Sequence, residues 1–293
     1  GINLTDFLHR WYEEDHSPTV FVKEVDADQI VVKEVTKYRI RFKAYNPSDV
    51  DALVTADIRQ GGDFRGGPGG GGRGFGGNPN NNITENYLLP AGSAKEMKII
   101  VDERPASISI NTNISHNLPT LHRFNFPKIE QNTQDTVAGV FAIDPRVFSP
   151  DPKEFVIDNE DSGFRAIASN NKHKLKDLFM KEDGEKYKNF IPWWAPSRWT
   201  TIATDYCYGN VVQSALYKNR GSGNNSVVWS AEITHDGYYE ISVWNPKMNR
   251  MGPSRQHNNE ERNQTYTVSY GGEEESITLN LQQEDPGWMS LGN

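Results

Sequence analysis

The residues with the most to offer chemically are tryptophans. "IPWWAPSRW" places Trp193, Trp194 and Trp199 in a proline-bounded segment, and "YYEISVWNP" puts Trp244 at the end of an alternating run. Indole faces on loops or sheet surfaces stack on the apolar faces of sugar rings, through the forces that order aromatic pairs. In the run ending at Trp244, alternation sets Trp244, Ser242 and Glu240 on one side and Val243, Ile241 and Tyr239 on the other. Trp244 is therefore the expected exposed platform. Trp229, in "VVWSAEI", is expected in the core. The competing reading of Trp193, Trp194 and Trp199 is that they plug the end of a sandwich, since tryptophan is more often packed than exposed.

"DNEDSG", residues 158–163, offers calcium-like oxygen ligands in Asp158 and Asp161. It lacks the spacing and distal glutamate of an EF-hand loop, so an Asx-rich turn competes with a structural calcium there. No other cofactor is expected. The seven histidines show no His-Glu-x-x-His pattern or zinc spacing, and no serine sits in a Gly-x-Ser-x-Gly elbow. Cys207 is the single cysteine, so an intrachain disulfide and a cysteine zinc cluster are both excluded. Its neighbours Tyr206 and Tyr208 suggest a strand with a buried thiol. Among 39 acidic residues a glycosidase pair could be drawn anywhere, which carries no information. No catalytic residues are assigned, and the expectation is a non-enzymatic chain.

Elements that would position these groups read as β throughout. Runs at residues 19–25, 29–35 and 37–46 alternate as half-buried strands do. In the third, Tyr38, Ile40, Phe42 and Ala44 face one way and Arg39, Arg41 and Lys43 the other. An Asn46-Pro47 turn leads to a strand over 52–60. Further strands are predicted within 85–103 on either side of a Pro-Ala-Gly turn, and over 106–115 and 136–145. Such spacing predicts an immunoglobulin-like β-sandwich over residues 19–148. "GGDFRGGPGGGGRGFGGNPNNN", residues 61–82, falls between two of its strands. It has no Walker ending and only two arginines, so a flexible hairpin loop is expected rather than a phosphate or RNA site. Residues 1–18 read as a short N-terminal helix, the tail of a preceding region. "DPRVFSPDP" reads as a linker into a second domain, residues 149–293.

Bulk properties agree. A net charge of -8 argues against nucleic acid as the main partner. There is no apolar run long enough to span a bilayer. Seven Trp, twelve Tyr and a mean hydropathy of -0.71 suit an all-β extracytoplasmic protein at a cell surface, in a periplasm or secreted.

The second half resembles the golvesin C-terminal domain, also described as the xanthan lyase carbohydrate-binding-like domain. The resemblance rests on Asp158-Asn159, Trp199, Tyr208-Gly209, Trp229, Gly237-Tyr238-Tyr239 with Ile241 and Val243, Tyr266-Thr267-Val268 with Gly271-Gly272, and Gly287-Trp288 with Leu291-Gly292. It implies a jelly-roll-like sandwich in a large surface or secreted protein, particularly of Bacteroidetes, that binds carbohydrate or mediates contacts. Two departures stand out. A long insert between Phe164 and Trp193 carries a helical pattern at Leu175, Leu178 and Phe179, and the family's closing strands after Leu-Gly are missing. The expected partner is thus a polysaccharide or glycan, with a protein partner or a remaining C-terminal piece completing the sheet. The alternatives are a structural or assembly module, or the accessory region of a peptidase or polysaccharide-degrading enzyme.

Overall fold

The computed structural model describes residues 5, 9, 16–61, 82–131, 135–167, 185–191, 195–219, 223, 225–246, 263–281 and 283–292. The glycine-rich stretch past Gly61, the helical pattern at Leu175, Leu178 and Phe179, and most of the N-terminal helix therefore lie outside the described residues. So do Trp193 and Trp194. The chain divides into two units, residues 1–151 with 210–212, and residues 152–209 with 213–293. Both are built of strands, as the alternation predicts.

In the first unit, strands β1 (Phe21–Val32), β2 (Val35–Tyr45), β3 (Ala52–Gln60), β4 (Asn82–Leu89), β5 (Ala94–Val101), β6 (Pro105–Asn111), β7 (Leu121–Asn125), β8 (Glu130–Gln131) and β9 (Gly139–Ile143) form two sheets. Their orders are β8-β1-β2-β5-β9 and β4-β3-β6-β7. The chain crosses sheets after β2, stays for β3 and β4, and returns for β5, which is a Greek-key connection. Ile40, Phe42 and Ala44 from one sheet meet Val54, Ile58, Ile108 and Ile110 from the other, all fully buried. Each of the larger side chains, Ala44 aside, contributes roughly 1.5–3 kcal/mol of burial free energy, which makes this the core of a sandwich. Asn46, also fully buried, ties the predicted turn: its Nδ2 donates to the carbonyls of Val50 (2.7 Å) and Leu89 (3.1 Å).

Two expectations change. The runs at 19–25 and 29–35 are not separate strands. They fuse into β1 through a bulge between Lys23 and Asp26, and the only tight turn falls at Lys33-Glu34, where Val32 pairs with Val35. Strand β7, whose sequence "LHRFN" barely alternates, was not among the predicted strands, and it is held by pairing with β6.

The charged side of β2 is covered at Arg39 and partly open at Arg41 and Lys43. Arg39 has no exposed surface. Its Nη1 reaches Asp135 Oδ2 at 2.6 Å and donates to the Asp135 carbonyl at 2.7 Å, while Nη2 donates to Asp28. Lys98 holds the same Asp135 carboxylate at 2.7 Å. The hydrogen bond from Lys98, helped by the Val137 N–H and the Arg39 charge, keeps the Asp135 carboxyl below its ordinary pKa despite the opposing effect of burial.

In the second unit, β10 (Phe164–Ile167) pairs with β14 (Ser226–Trp229), and β11 (Lys188–Asn189), β12 (Thr200–Ala203) and β13 (Ser214–Tyr217) form a three-stranded sheet. β15 (Ile241–Asn245) pairs with β18 (Gly287–Gly292), and β16 (Asn263–Tyr270) with β17 (Glu273–Asn280). Among the described residues of this unit only Ile202, Cys207 and Met289 are buried hydrophobics. No helix among the described residues is long and apolar enough to cross a membrane.

Candidate functional site

The β15–β18 ladder sets the most distinctive surface of the second unit. Trp244 lies directly opposite Trp288, Val243 opposite Met289, and Ser242 opposite Ser290. Side chains alternate across a strand, so Met289 goes inward while Trp288 and Ser290 go outward. Trp244 and Ser242 share that outward side. Tyr208 closes the group: its ring centroid lies 5.0 Å from Trp288 and 5.6 Å from Trp244, and the two indoles stand 5.6 Å apart at 81°. These contacts, edge-to-face at Trp288 and tilted between Tyr208 and Trp244, stiffen all three rings. Trp244 is pinned further by its Nε1, which donates to the Tyr206 carbonyl at 3.0 Å. Trp288 is left 51% exposed.

The other tryptophans are placed differently. Trp199 is half-buried, its ring lies under Lys218 Nζ at 5.5 Å from the centroid, and its Nε1 is buried with no acceptor among the described residues. Trp229, expected in the core, is instead 41% exposed and packs beside Phe164 with ring centroids 5.6 Å apart. Its strand pairs with β10 among the described residues.

Asp158 and Asp161 form a turn. The Asp158 N–H donates to Asp161 Oδ2 at 2.7 Å, the Asn159 N–H donates to Asp158 Oδ1 at 2.7 Å, and the Asp161 N–H donates to the Asp158 carbonyl at 3.1 Å. Glu160 is engaged elsewhere. Ser214 Oγ donates to its Oε1 at 2.7 Å, Lys186 Nζ donates to its Oε2, and Asn159 Nδ2 donates to Ser214 Oγ at 2.7 Å. Burial alone would raise the Glu160 pKa, but the Lys186 and Ser214 hydrogen bonds outweigh it and the carboxyl is held low. Among the described residues no group of three or more His, Cys, Asp or Glu is arranged to hold a metal ion. One oxygen each of Asp158 and Asp161 is bound to a backbone N–H group, as in the Asx-rich turn that competes with a calcium here.

Burial pushes the Asp158 pKa up to about 6, with the Asp161 and Glu160 charges adding to it and the Asn159 N–H opposing. A carboxyl whose folded pKa exceeds its unfolded value disfavours the folded state when ionised. The second unit should therefore gain stability as the pH falls from 7 through about 6. Replacing Asp158 by Asn should stabilise it at pH 7 by about 1–2 kcal/mol, after discounting for solvent screening, and change little near pH 4. Tryptophan fluorescence during urea denaturation reads this unit, because Trp11 is the only indole before residue 193. An Asn variant no more stable than the parent at pH 7 overturns the assignment.

Cys207 is buried, and desolvation lifts its thiol to about 12, which makes it a structural side chain rather than a nucleophile.

The aromatic group of Tyr208, Trp244 and Trp288 lies in the second unit, beside the Ser242–Ser290 pair. Within that unit, residues 193–293 match the family model of the golvesin C-terminal domain. The match includes Tyr208, Trp244 and Trp288 and begins after the Asp158–Gly163 turn. No curated protein and no solved structure matches the chain.

Proposed function

We propose that this chain is a non-catalytic binding part of a larger extracytoplasmic protein and that it takes carbohydrate on the outward face of the β15–β18 ladder. The observation that carries this is the Trp288 indole, exposed yet held rigid by Trp244 and Tyr208. Rigid aromatic faces stack on sugars at low entropic cost. Ser242 and Ser290, two residues along the strands on the same side, supply hydroxyls for a sugar lying next to the stacked one. A glycan array spanning neutral, amino and acidic polymers, followed by calorimetry on the hits, tests it. Replacing Trp288 by Ala should weaken binding at least tenfold, about 1.4 kcal/mol, and Trp244→Ala should do likewise by loosening its partner. Trp229→Ala, on a different sheet, should leave binding unchanged. Silence across the array, or equal binding by all three variants, removes the proposal.

A second reading, assembly with a strand-supplying protein partner, is favoured by the sheets of the second unit. They have two or three strands each among the described residues, beside exposed Ile233, Tyr238 and Tyr270. Open edges and uncovered apolar side chains invite pairing. Native mass spectrometry distinguishes the two: a lone, monodisperse monomer that binds glycan supports the first, and a co-purifying partner the second.

A further inference from the structure

The segments that build the ridge are 204–209, 241–246 and 283–292, and they contain no Lys, Arg or His. They do contain Asp205, Glu284 and Asp285. Asp205 and Asp285 are exposed and make no ion pair among the described residues. Both are tied to the tryptophan pair through the backbone. Asp205 precedes Tyr206, whose carbonyl accepts from Trp244 Nε1, and the Asp285 carbonyl accepts from Nδ2 of Asn245, the neighbour of Trp244, at 3.2 Å. Among the described residues the ridge segments thus carry exposed carboxylates, with Asp205 Oδ1 accepting from the Thr204 hydroxyl at 3.2 Å.

We infer that the ligand of the Trp244–Trp288 ridge is a glycan bearing ammonium groups, a polymer of unacetylated amino sugar, rather than an acidic polysaccharide. This rests on the carbohydrate reading above. The indole supports the ring face of one sugar, and the Asp205 and Asp285 carboxylates meet ammonium groups on that sugar or the next. The cation cannot sit between the aromatic rings. With centroids 5.0–5.6 Å apart they fill the space that a quaternary-ammonium cage leaves open. Uronic or sulfated chains meet like charge at the same edge and are rejected.

Calorimetric titration of the intact chain with three oligomers of equal length, glucosamine, N-acetylglucosamine and galacturonate, at mildly acid pH decides it. The glucosamine oligomer should bind about tenfold more tightly than its acetylated counterpart, as expected for two exposed ion pairs. That advantage should fade in molar salt as the Debye length contracts. The double variant Asp205→Asn, Asp285→Asn should erase the preference while keeping the acetylated oligomer's affinity, and Trp288→Ala should weaken both. Trp288-dependent binding without preference for the amino sugar, or galacturonate binding as tightly, overturns this inference and leaves the carbohydrate ridge standing. No Trp288-dependent binding of any of the three overturns both.

Discussion

Replacing Arg39 with alanine should cost the first unit about 3–5 kcal/mol, the range found when one partner of a buried ion pair is removed. That is a large part of the stability of a domain this size. The guanidinium is fully buried and is shared by Asp28 and Asp135, so its loss leaves two carboxylates facing the place a cation filled. Lys98 still neutralises Asp135. Arg39→Lys should fall between the parent and the alanine variant. It restores the charge without the planar fork that serves both acids at once. Tryptophan fluorescence is nearly blind to this unit, so amide hydrogen exchange across β2 and β5 is the suitable readout. Unchanged protection there in Arg39→Ala would show that the network is decorative. The same cluster sets an opposite acid response from that of Asp158. Because the Asp135 pKa is depressed, the stability it gives is present above the ordinary aspartate value of 3.8 and drains away as the pH falls below it.

How much of this was readable in the sequence varies by element. The faces of β2 were: a period-two run separates Ile40, Phe42 and Ala44 from Arg39, Arg41 and Lys43 without any knowledge of neighbours. That Arg39 would be fully buried was not, because the cover comes from Asp135, which is distant in sequence. The tetrapeptide Val-Lys-Glu-Val shows the limit most sharply. It occurs at residues 22–25 and again at 32–35. The first copy sits in a bulge, with Glu24 at φ 51°, and the chain continues as one strand. The second makes the hairpin turn, with Lys33 at φ 50° and Glu34 at φ 64°. Identical local propensities give two conformations, so long-range pairing with β2 decides between them. Reading each copy as a strand end split β1 in two.

The candidate site follows the same division. Alternation placed Trp244 and Ser242 on one side, which is where they lie. Its partner Trp288 is far along the chain, and no local pattern marks the two as cross-strand neighbours. The only signal was the Gly-Trp-x-x-Leu-Gly ending that carries the family resemblance. Trp229 went the other way: a place in an apolar run suggested the core, while burial depends on what packs against the residue, and it is left 41% exposed.

Gly163 was read as part of an Asx-rich turn, where glycine commonly serves for flexibility, but its structural reason is space. A Cβ at this position would lie 2.5 Å from the Ser230 carbonyl oxygen and 3.1 Å from Ile157 Cγ2. The first neighbour is backbone, and it cannot swing aside. The Ser230 N–H donates to the Gly163 carbonyl at 2.8 Å, and the next rung pairs Phe164 with Trp229, so any retreat separates β10 from β14. Gly163→Ala should therefore destabilise the second unit by about 2–3 kcal/mol, the cost of forcing an added carbon against closely packed backbone. Gly237→Ala is the matched control. Its nearest neighbour would be a Tyr239 ring atom at 3.8 Å, ordinary contact, so the reduced freedom of the unfolded chain should leave that variant neutral or up to about 1 kcal/mol more stable. Urea denaturation followed by tryptophan emission compares them directly. Equal midpoints would mean that the β10–β14 pair yields to a methyl group, and that the close approach at Gly163 does not restrain this part of the fold.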